Sequence, residues 1–337
     1  MPIPTFIREQ PAALDRCIAA TRAFTATWSP AAFDGITLVG SGSSFNALTV
    51  ARPQFATARR GSVIVHEPED FIAELRHASG RPLVIVLSQS GASTTSVAAA
   101  TAAVSAGLVT LAITATPDAP LARTGAEVLV MPVGDEPVGP KTKGFLGSVA
   151  MLLLLAEALG APAAAATTGG ALASLVEPAH AAAAALVPTL GDVDQIMVAG
   201  RRAGHGLALE ASLKISEMAG IPTAVFPTEE LLHGRLHGLT ERSMAFIIVD
   251  GDHERAEAER AATVMAARGC RLIVVAPGGP HWLKDLSLPA SPWRALGLIL
   301  PFQWLAVLLA QARGLQPEVM RYGSLSAELA IKTDSRP

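Results

Sequence analysis

The chain of 337 residues is long enough for two ordinary domains with full hydrophobic cores. Hydrophobic residues make up 50% of it and charged residues 16%, which excludes an intrinsically disordered chain. The formal net charge of −3 gives no electrostatic reason to expect a nucleic acid or an anionic membrane as a partner.

The N-terminus lacks the basic start and the apolar run of a signal peptide. Two distant cysteines, Cys17 and Cys270, fit neither a disulfide framework nor a metal site and predict reduced thiols in a cytoplasmic protein. The apolar stretches 149–155 and 295–310 fall short of the roughly 20 apolar residues that a membrane span needs. Both therefore predict core helices.

Strands and helices alternate along the first half, after a helical lead-in over residues 1–33. The predicted strands are 35–40, 62–66, 83–87, 109–114 and 127–131. The predicted helices are 45–58, 68–77, 93–106 and 144–159. This alternation is typical of a parallel sheet covered by helices on both faces.

The pattern restarts after an Ala-, Thr- and Gly-rich linker that includes a helix over 172–186. Further strands are predicted at 195–199, 244–249 and 270–276, with a closing helix at 296–310. Corresponding strands lie about 160 residues apart, which indicates a tandem duplication. The predicted fold is therefore α/β, with two tandem three-layer αβα sandwich domains at 34–165 and 190–315 and a tail at 316–337.

A hydroxyl-rich turn follows the strand 83–87. Five of the seven residues from Ser88 to Thr94 are Ser, Thr or Gln, and a strong helix-forming segment comes next. Free backbone N–H groups, hydroxyls and the positive end of a helix favour an anion there, most simply a phosphate. A helix cap by Ser93 or Thr94 alone is the simpler alternative, but a cap needs only one such residue.

Two segments resemble nucleotide-binding motifs, but each lacks a feature that its motif requires. Gly40 and Gly42 resemble a dinucleotide fingerprint, but Phe45 stands where that motif requires glycine. Residues 134–142 would form a P-loop only without Pro140, since that loop uses its backbone N–H groups. The serine-rich turns 41–44 and 88–94 follow neighbouring strands of a parallel sheet, so one small phosphorylated ligand fits both.

A charged stripe lies on the predicted helix that follows the strand 195–199. Glu210, Lys214 and Glu217 have the spacing i, i+4, i+7 and so share one face. One interpretation is a solvated face with a Glu–Lys pair worth a few tenths of a kcal/mol. The other is a set of inward-facing charges in which a carboxylate serves as a proton-transfer base. The sequence leaves the two interpretations even.

Two histidines four residues apart, His233 and His237, follow in a glycine-containing segment. As a zinc pair they need a third ligand and a helix, and Gly234 and Gly238 favour a loop instead. A loop histidine is most often simply exposed, yet histidine is also the commonest general acid or base near neutral pH.

These motifs together resemble the tandem sugar isomerase (SIS) domain family, as in the isomerase half of glutamine:fructose-6-phosphate amidotransferase. Gly42, Ser43 and Ser44 match the family's first phosphate turn, and the Ser-Gln-Ser-Gly of residues 88–91 matches its second. Residues 136–145 align without gaps to the family's Glu-Ile-Gly-Val-Ala-Ser-Thr-Lys-Ala-Phe segment. The helix 208–217 and the Glu-Leu-Leu-His-Gly of residues 230–234 match at the family's distance.

The resemblance implies roles for individual residues. The residues implied to hold the sugar phosphate are Ser44, Ser88, Gln89, Ser90 and Ser93. Glu217 is implied to move a proton between C1 and C2, His233 to open the sugar ring, and Glu210 and Lys214 to support them. In the family the histidine comes from the neighbouring subunit, which implies a homodimer here. The tail lysine that forms a Schiff base in the family corresponds to Lys332, although Leu329-Ala330-Ile331-Lys332 carries one extra residue.

The sequence departs from the family's pattern at four positions. Lys141 replaces a serine and Gly139 a valine, so both are expected to alter contacts to the sugar; Lys141 either meets a phosphate or carboxylate or lies in solvent. Ser93 stands where the family usually has Thr. Met1 is followed by Pro2 rather than a nucleophilic cysteine, which predicts that ammonia is not taken from glutamine.

The expected function is that of a phosphosugar-processing enzyme, most simply a glucosamine-6-phosphate deaminase. An isomerising aminotransferase or phosphosugar isomerase that does not use glutamine is the close alternative, and a non-catalytic sugar-phosphate sensor is the alternative of another class. No metal or other cofactor is expected, because the carbonyl and imine of the substrate serve as the electron sink. Neither a nucleic acid nor a membrane is expected as a partner.

Overall fold

The structure is a computed structural model that describes residues 2–77, 80–278 and 282–333. The predicted tail 316–337 is thus described as far as Thr333. The chain forms two compact units, and neither is continuous in sequence. The first-sheet unit comprises Ala12–Glu136, Lys143–Ala163 and the tail from Tyr322. The second-sheet unit comprises the chain up to Pro11, Pro137–Thr142 and Ala164–Arg321.

The first-sheet unit contains five parallel strands in the order β2-β1-β3-β4-β5. These strands are β1 (Gly35–Val39), β2 (Ser62–His66), β3 (Leu83–Leu87), β4 (Thr110–Thr114) and β5 (Glu127–Val130). The long helix α1 (Ile3–Thr25) precedes them. The remaining helices are α2 (Ser43–Thr57), α3 (Pro68–Leu75), α4 (Thr94–Ser105) and α5 (Lys143–Ala158).

The central strands of this sheet carry apolar side chains on both faces. Every residue of β1, β3 and β4 is buried, which is typical of a parallel sheet covered by helices on both sides. Val84 and Val86 of β3 pack with Phe71 of α3 and with the alanines of α4. Helix α2 packs against α5.

The second-sheet unit contains four parallel strands in the order β7-β6-β8-β9. Its helices and strands in chain order are α6 (Gly169–Leu186), β6 (Gln195–Gly200), α7 (Ala203–Ala219), β7 (Thr223–Pro227), α8 (Thr228–Leu232), β8 (Ser243–Ile248), α9 (Asp252–Ala266), β9 (Arg271–Val275) and α10 (Arg294–Ala312). Helix α10 packs on α7 and α6. A four-residue helix, α11 (Leu325–Glu328), lies in the tail of the first-sheet unit.

The predicted α/β class with two parallel sheets is confirmed. The sequence missed β7 and α8, which lie between the helix and the strand that it predicted. Strand β7 is an edge strand whose residues are half-buried or exposed, and its apolar run at residues 224–226 is shorter than the runs of β6 and β8.

Two helices of the described chain, spanning 169–190 and 294–312, are long and apolar enough to cross a membrane. This is weak support for a membrane span, because core helices pass the same test. The apolar window of the second helix is 83% buried within the protein, as the sequence predicted for a core helix.

Candidate functional site

Two serine-containing turns lie at the carboxyl edge of the first sheet. Gly42 caps the N-terminus of α2 with φ 55° and ψ −132°, and the half-buried Ser43 and Ser44 begin the helix. Ser88 follows β3 directly and is 5% exposed. Because β1 and β3 are parallel neighbours, their carboxyl ends and the two turns lie at one edge of the sheet.

The turn after β3 is shaped by Gly91. Its φ is 64°, and a Cβ atom there would lie 2.4 Å from Ala119 Cβ and 2.6 Å from Thr114 Oγ1. Only glycine fits such a position. Ala92 N donates to Ser90 Oγ at 3.3 Å, and Ser96 N donates to Ser93 Oγ at 3.5 Å. Ser93 is therefore the N-cap of α4, the simpler of the two roles that the sequence allowed.

The tail is bound to this turn by main-chain hydrogen bonds. Thr94 N donates to Ile331 O at 3.2 Å, and Thr333 N donates to Ala92 O at 2.8 Å. These bonds form an antiparallel bridge between Ser93 and Lys332. Within the first-sheet unit, the structure thus brings the predicted tail lysine to the predicted phosphate turn.

Lys332 is exposed and lines a cavity of about 780 Å³ together with Ser90, Asp118 and Arg123. No motif in the sequence predicted that Arg123 lines this cavity. The feature that could have indicated it is its position on the short helical connection after β4, which lies at the same edge of the sheet as the turn after β3.

Gln89, which is half-buried, also belongs to the turn after β3 in the first-sheet unit. The other predicted site residues belong to the second-sheet unit. Gly139 is exposed, and a Cβ atom on it would lie 2.5 Å from Met320 Cε. Lys141 is half-buried.

The charged stripe of α7 is buried. The side chains of Glu210 and Lys214 are 0% and 1% exposed, whereas that of Glu217 is 21% exposed. Lys214 Nζ lies 3.4 Å from Glu210 Oε1 and 2.5 Å from Glu217 Oε2. Of the two interpretations that the sequence left even, these positions favour inward-facing charges.

Electrostatics keep Lys214 protonated. Burial lowers the pKa of its ammonium group, but the carboxylates of Glu210 and Glu217 outweigh this effect, and the net pKa is raised. One fixed cation is thus shared by two carboxylates, and only Glu217 of these reaches solvent. The arrangement can present the carboxylate of Glu217 to a substrate while the buried cation of Lys214 holds it in position.

His233 ends α8 and is exposed, with its side chain 71% accessible. Its Nε2 lies 3.0 Å from Glu229 Oε1, and Glu229 Oε2 accepts from Arg201 Nη2 at 2.7 Å. No three His, Cys, Asp or Glu residues among those described form a group that could hold a metal ion.

The second repeat has different groups at its corresponding turns. Arg202 caps α7 with φ 51° and ψ −121°, nearly the conformation of Gly42 before α2. Asp250 follows β8, which holds the place of β3 in its sheet. Burial raises the pKa of Asp250 although Arg294 opposes the shift. A carboxyl group there disfavours a second phosphate site.

The family comparison agrees with this architecture, since the SIS domain matches residues 34–158 and 189–280. The chain belongs to the SIS domain family. Its two matched segments contain the first sheet and the second sheet, so the resemblance drawn from the motifs is confirmed.

Curated relatives of this SIS protein include glutamine–fructose-6-phosphate aminotransferases. That of Leifsonia xyli is 27% identical over 311 residues, which are 86% of this chain and 50% of the relative. That of Halobacterium salinarum is also 27% identical, over 82% of this chain and 49% of the relative. The SIS protein thus spans about half the length of the curated relatives it matches.

Solved structures show the same fold. Glucosamine-6-phosphate deaminase from Thermotoga maritima has a TM-score of 0.77 at 19% identity, covering 94% of this chain and 97% of that one. Tagatose-6-phosphate ketose/aldose isomerase from Escherichia coli has a TM-score of 0.74 at 18% identity, covering 93% of each chain.

Proposed function

We propose that this SIS protein is a phosphosugar-processing enzyme, and that it acts as a glucosamine-6-phosphate deaminase. The observation that carries the proposal is the charge arrangement on α7, in which Glu217 alone of the three charged groups reaches solvent and is hydrogen-bonded to the buried Lys214. A carboxylate in that setting suits the transfer of a proton between neighbouring carbons.

The serine-rich turns would bind the phosphate of the substrate. They offer backbone N–H groups and hydroxyls at the starts of α2 and α4, where the helix dipoles favour an anion. The buried Ser88 and the half-buried Gln89 add polar side chains to that end. The other members of this proposed set are Ser44, Ser90 and Ser93.

The reaction would proceed in three balanced steps. His233 would transfer the proton of the C1 hydroxyl to the ring oxygen as the bond between C1 and the ring oxygen breaks and the pyranose opens to the C1 aldehyde. Glu217 would then take the proton from C2 and return it to C1, while a proton passes from the amino nitrogen to the C1 oxygen. The 2-amino aldehyde thereby becomes a C2 imine with a C1 hydroxyl. Water would hydrolyse that imine and release ammonia and fructose 6-phosphate.

The test is ammonia release from glucosamine 6-phosphate, measured together with formation of the ketose phosphate. Glu217→Gln and His233→Ala are each expected to lower kcat by roughly 100-fold to 10,000-fold, the usual contribution of a general acid or base. His237→Ala is the matched control, because His237 is also exposed and lies four residues away. It should leave kcat unchanged.

Other outcomes would identify the alternatives. Wild-type release no faster than that of Glu217→Gln would overturn the deaminase assignment. Conversion of an aldose phosphate to a ketose phosphate without ammonia release would indicate an isomerase. Tight binding of sugar phosphates with neither reaction would indicate a sensor.

A further inference from the structure

A buried carboxylate next to the phosphate turn has no role in the proposed reaction. Glu136 is 5% exposed, and its Oε1 and Oε2 accept from Lys143 N and Gly144 N, each at 3.1 Å. These N–H groups belong to the first turn of α5, and the N–H groups of a first turn have no hydrogen-bond acceptors within their own helix. Glu136 therefore stabilises the start of α5, where a negative charge also complements the helix dipole.

The amide group of Gln89 lies against this same start of α5. Its Nε2 is 3.5 Å from Glu136 Oε2. A Cβ atom on Gly144 would lie 1.9 Å from Gln89 Oε1 and 2.1 Å from its Cδ. The amide thus occupies the space that any other residue at position 144 would fill.

Glu136 also determines which end of the amide faces it. An ionised carboxylate only accepts hydrogen bonds, so it attracts the NH₂ end of Gln89 and repels the carbonyl end. An amide has two N–H bonds on its nitrogen. When one N–H is directed to Glu136, the other remains available as a donor to an anion bound at the turn after β3.

We propose that Glu136 and Gly144 are positioning residues for Gln89, the first by fixing the orientation of its amide and the second by leaving the space for it. The inference rests on the proposed function, because Gln89 is a proposed phosphate ligand. The competing explanation is that Glu136 only stabilises α5 and that Gly144 only avoids a clash.

Gly144→Ala separates the two explanations, since its methyl group would displace the amide of Gln89 while leaving Glu136 in place. Gly147→Ala is the matched control in the same buried helix. A Cβ atom at Gly147 would lie 2.6 Å from Val133 Cγ1 and 3.0 Å from Cys17 Sγ, so it strains the packing of α5 without touching Gln89.

Calorimetric binding of glucosamine 6-phosphate and of inorganic phosphate to the full chain provides the measurement. Gly144→Ala and Gln89→Ala are each expected to weaken binding by roughly 10-fold to 100-fold, the range of a hydrogen bond to a charged group. The double variant should bind no more weakly than Gln89→Ala alone, because both changes remove the same contact. Gly147→Ala should lower Tm but keep the wild-type affinity.

Glu136→Gln is the second variant. It keeps the length and branching of the side chain but exchanges one of the two acceptor oxygens at the start of α5 for a donor NH₂ group, so its Tm is measured together with its affinity. It should weaken binding as well, because a neutral amide no longer selects the NH₂ end of Gln89. Wild-type affinity in both Gly144→Ala and Glu136→Gln would overturn the inference and leave the proposed function intact. Additive losses in the Gly144→Ala/Gln89→Ala double variant would also overturn it. Failure of the wild-type protein to bind either probe would instead overturn the proposed function, and this inference with it.

Discussion

Arg202 holds a backbone conformation that side chains rarely adopt, with φ 51° and ψ −121° at the start of α7. Gly42 has nearly the same angles, φ 55° and ψ −132°, at the start of α2. An arginine in a conformation suited to glycine stores strain of about 1–3 kcal/mol. Such strain persists only where the surrounding structure holds the backbone in place, and Arg202 is exposed at the carboxyl end of β6.

We expect Arg202→Gly to raise the free energy of unfolding by about 1 kcal/mol, because relief of strain exceeds the added entropy of glycine in the unfolded chain. Urea unfolding followed by circular dichroism provides the measurement. Arg76→Gly is the control, since Arg76 is exposed but has an ordinary φ of −67°, and it should lose stability. A decrease in stability for Arg202→Gly similar to that of the control would show that position 202 carries no strain.

At the scale of single residues, the sequence predicted which residue types form the turns but not which side chains contact one another. The serines after β1 and β3 could be predicted as a site because a turn, a helix start and hydroxyl groups are all features of the local sequence. Gln89 and Glu136 are in contact although they lie 47 residues apart in sequence. The local sequence around either residue does not predict this contact. The space left by Gly144 is equally invisible, since it depends on where the amide of Gln89 lies.

Helix α7 shows how packing decides what a charge pattern means. The spacing of Glu210, Lys214 and Glu217 places them on one face of the helix, but spacing alone does not determine whether that face is exposed to solvent or buried. In the structure α10 packs against α7, and Glu210 and Lys214 have almost no exposure. The burial of these charges is thus a result of tertiary packing, which the spacing of the three residues along the helix does not contain.

Lys214→Met is expected to destabilise the protein by about 3–5 kcal/mol, because it leaves the buried Glu210 carboxylate without its cation. The double variant Glu210→Gln/Lys214→Met should recover most of that loss. Lys284→Met, at an exposed lysine, is the control and should change stability by less than about 0.5 kcal/mol. Urea unfolding compares the four proteins. Equal losses in the single and double variants would contradict a charge-based explanation.

The strands of the sheets were predicted where a run of apolar residues marks them, at an edge of the sheet (β2) as well as at its centre (β3). The predicted strands 62–66 and 83–87 match β2 and β3 to the residue, and the predicted helix 144–159 is shifted by one residue from α5. Strand β7 was missed because Pro222 and Pro227 flank its short apolar run at residues 224–226, and prolines are typical of loops. The boundaries that depend on apolar patterning were thus predictable.

On the scale of the whole molecule, sequence order and structural grouping differ. The tail from Tyr322 belongs to the first-sheet unit, where its main chain binds residues 92–94. The segment Pro137–Thr142, which follows β5 in sequence, belongs instead to the second-sheet unit. Lys332 therefore joins the serine turns, whereas Gly139 and Lys141 belong to the unit that contains α7. A linear division into two repeats does not contain this information.

The homodimer implied by the resemblance has a direct test that uses two inactive variants. If His233 of one subunit serves the Glu217 of its partner, then Glu217→Gln and His233→Ala remove different halves of each site. Random mixing of the two variants by unfolding and refolding would make half of the dimers mixed. Each mixed dimer would contain one intact site, so activity should return to about one quarter of the wild-type value.

Sedimentation equilibrium of the wild-type protein checks the assembly on which this depends, since a dimer has twice the 34.7 kDa mass of the chain. The control is a mixture of His237→Ala with Glu217→Gln. The His237→Ala protein keeps both His233 and Glu217 and is therefore active before mixing, so this mixture shows the effect of dilution without any recovery of activity. A dimer by sedimentation without any recovery in the Glu217→Gln/His233→Ala mixture would place both residues of each site on one chain. A monomer by sedimentation would exclude the exchange of His233 altogether.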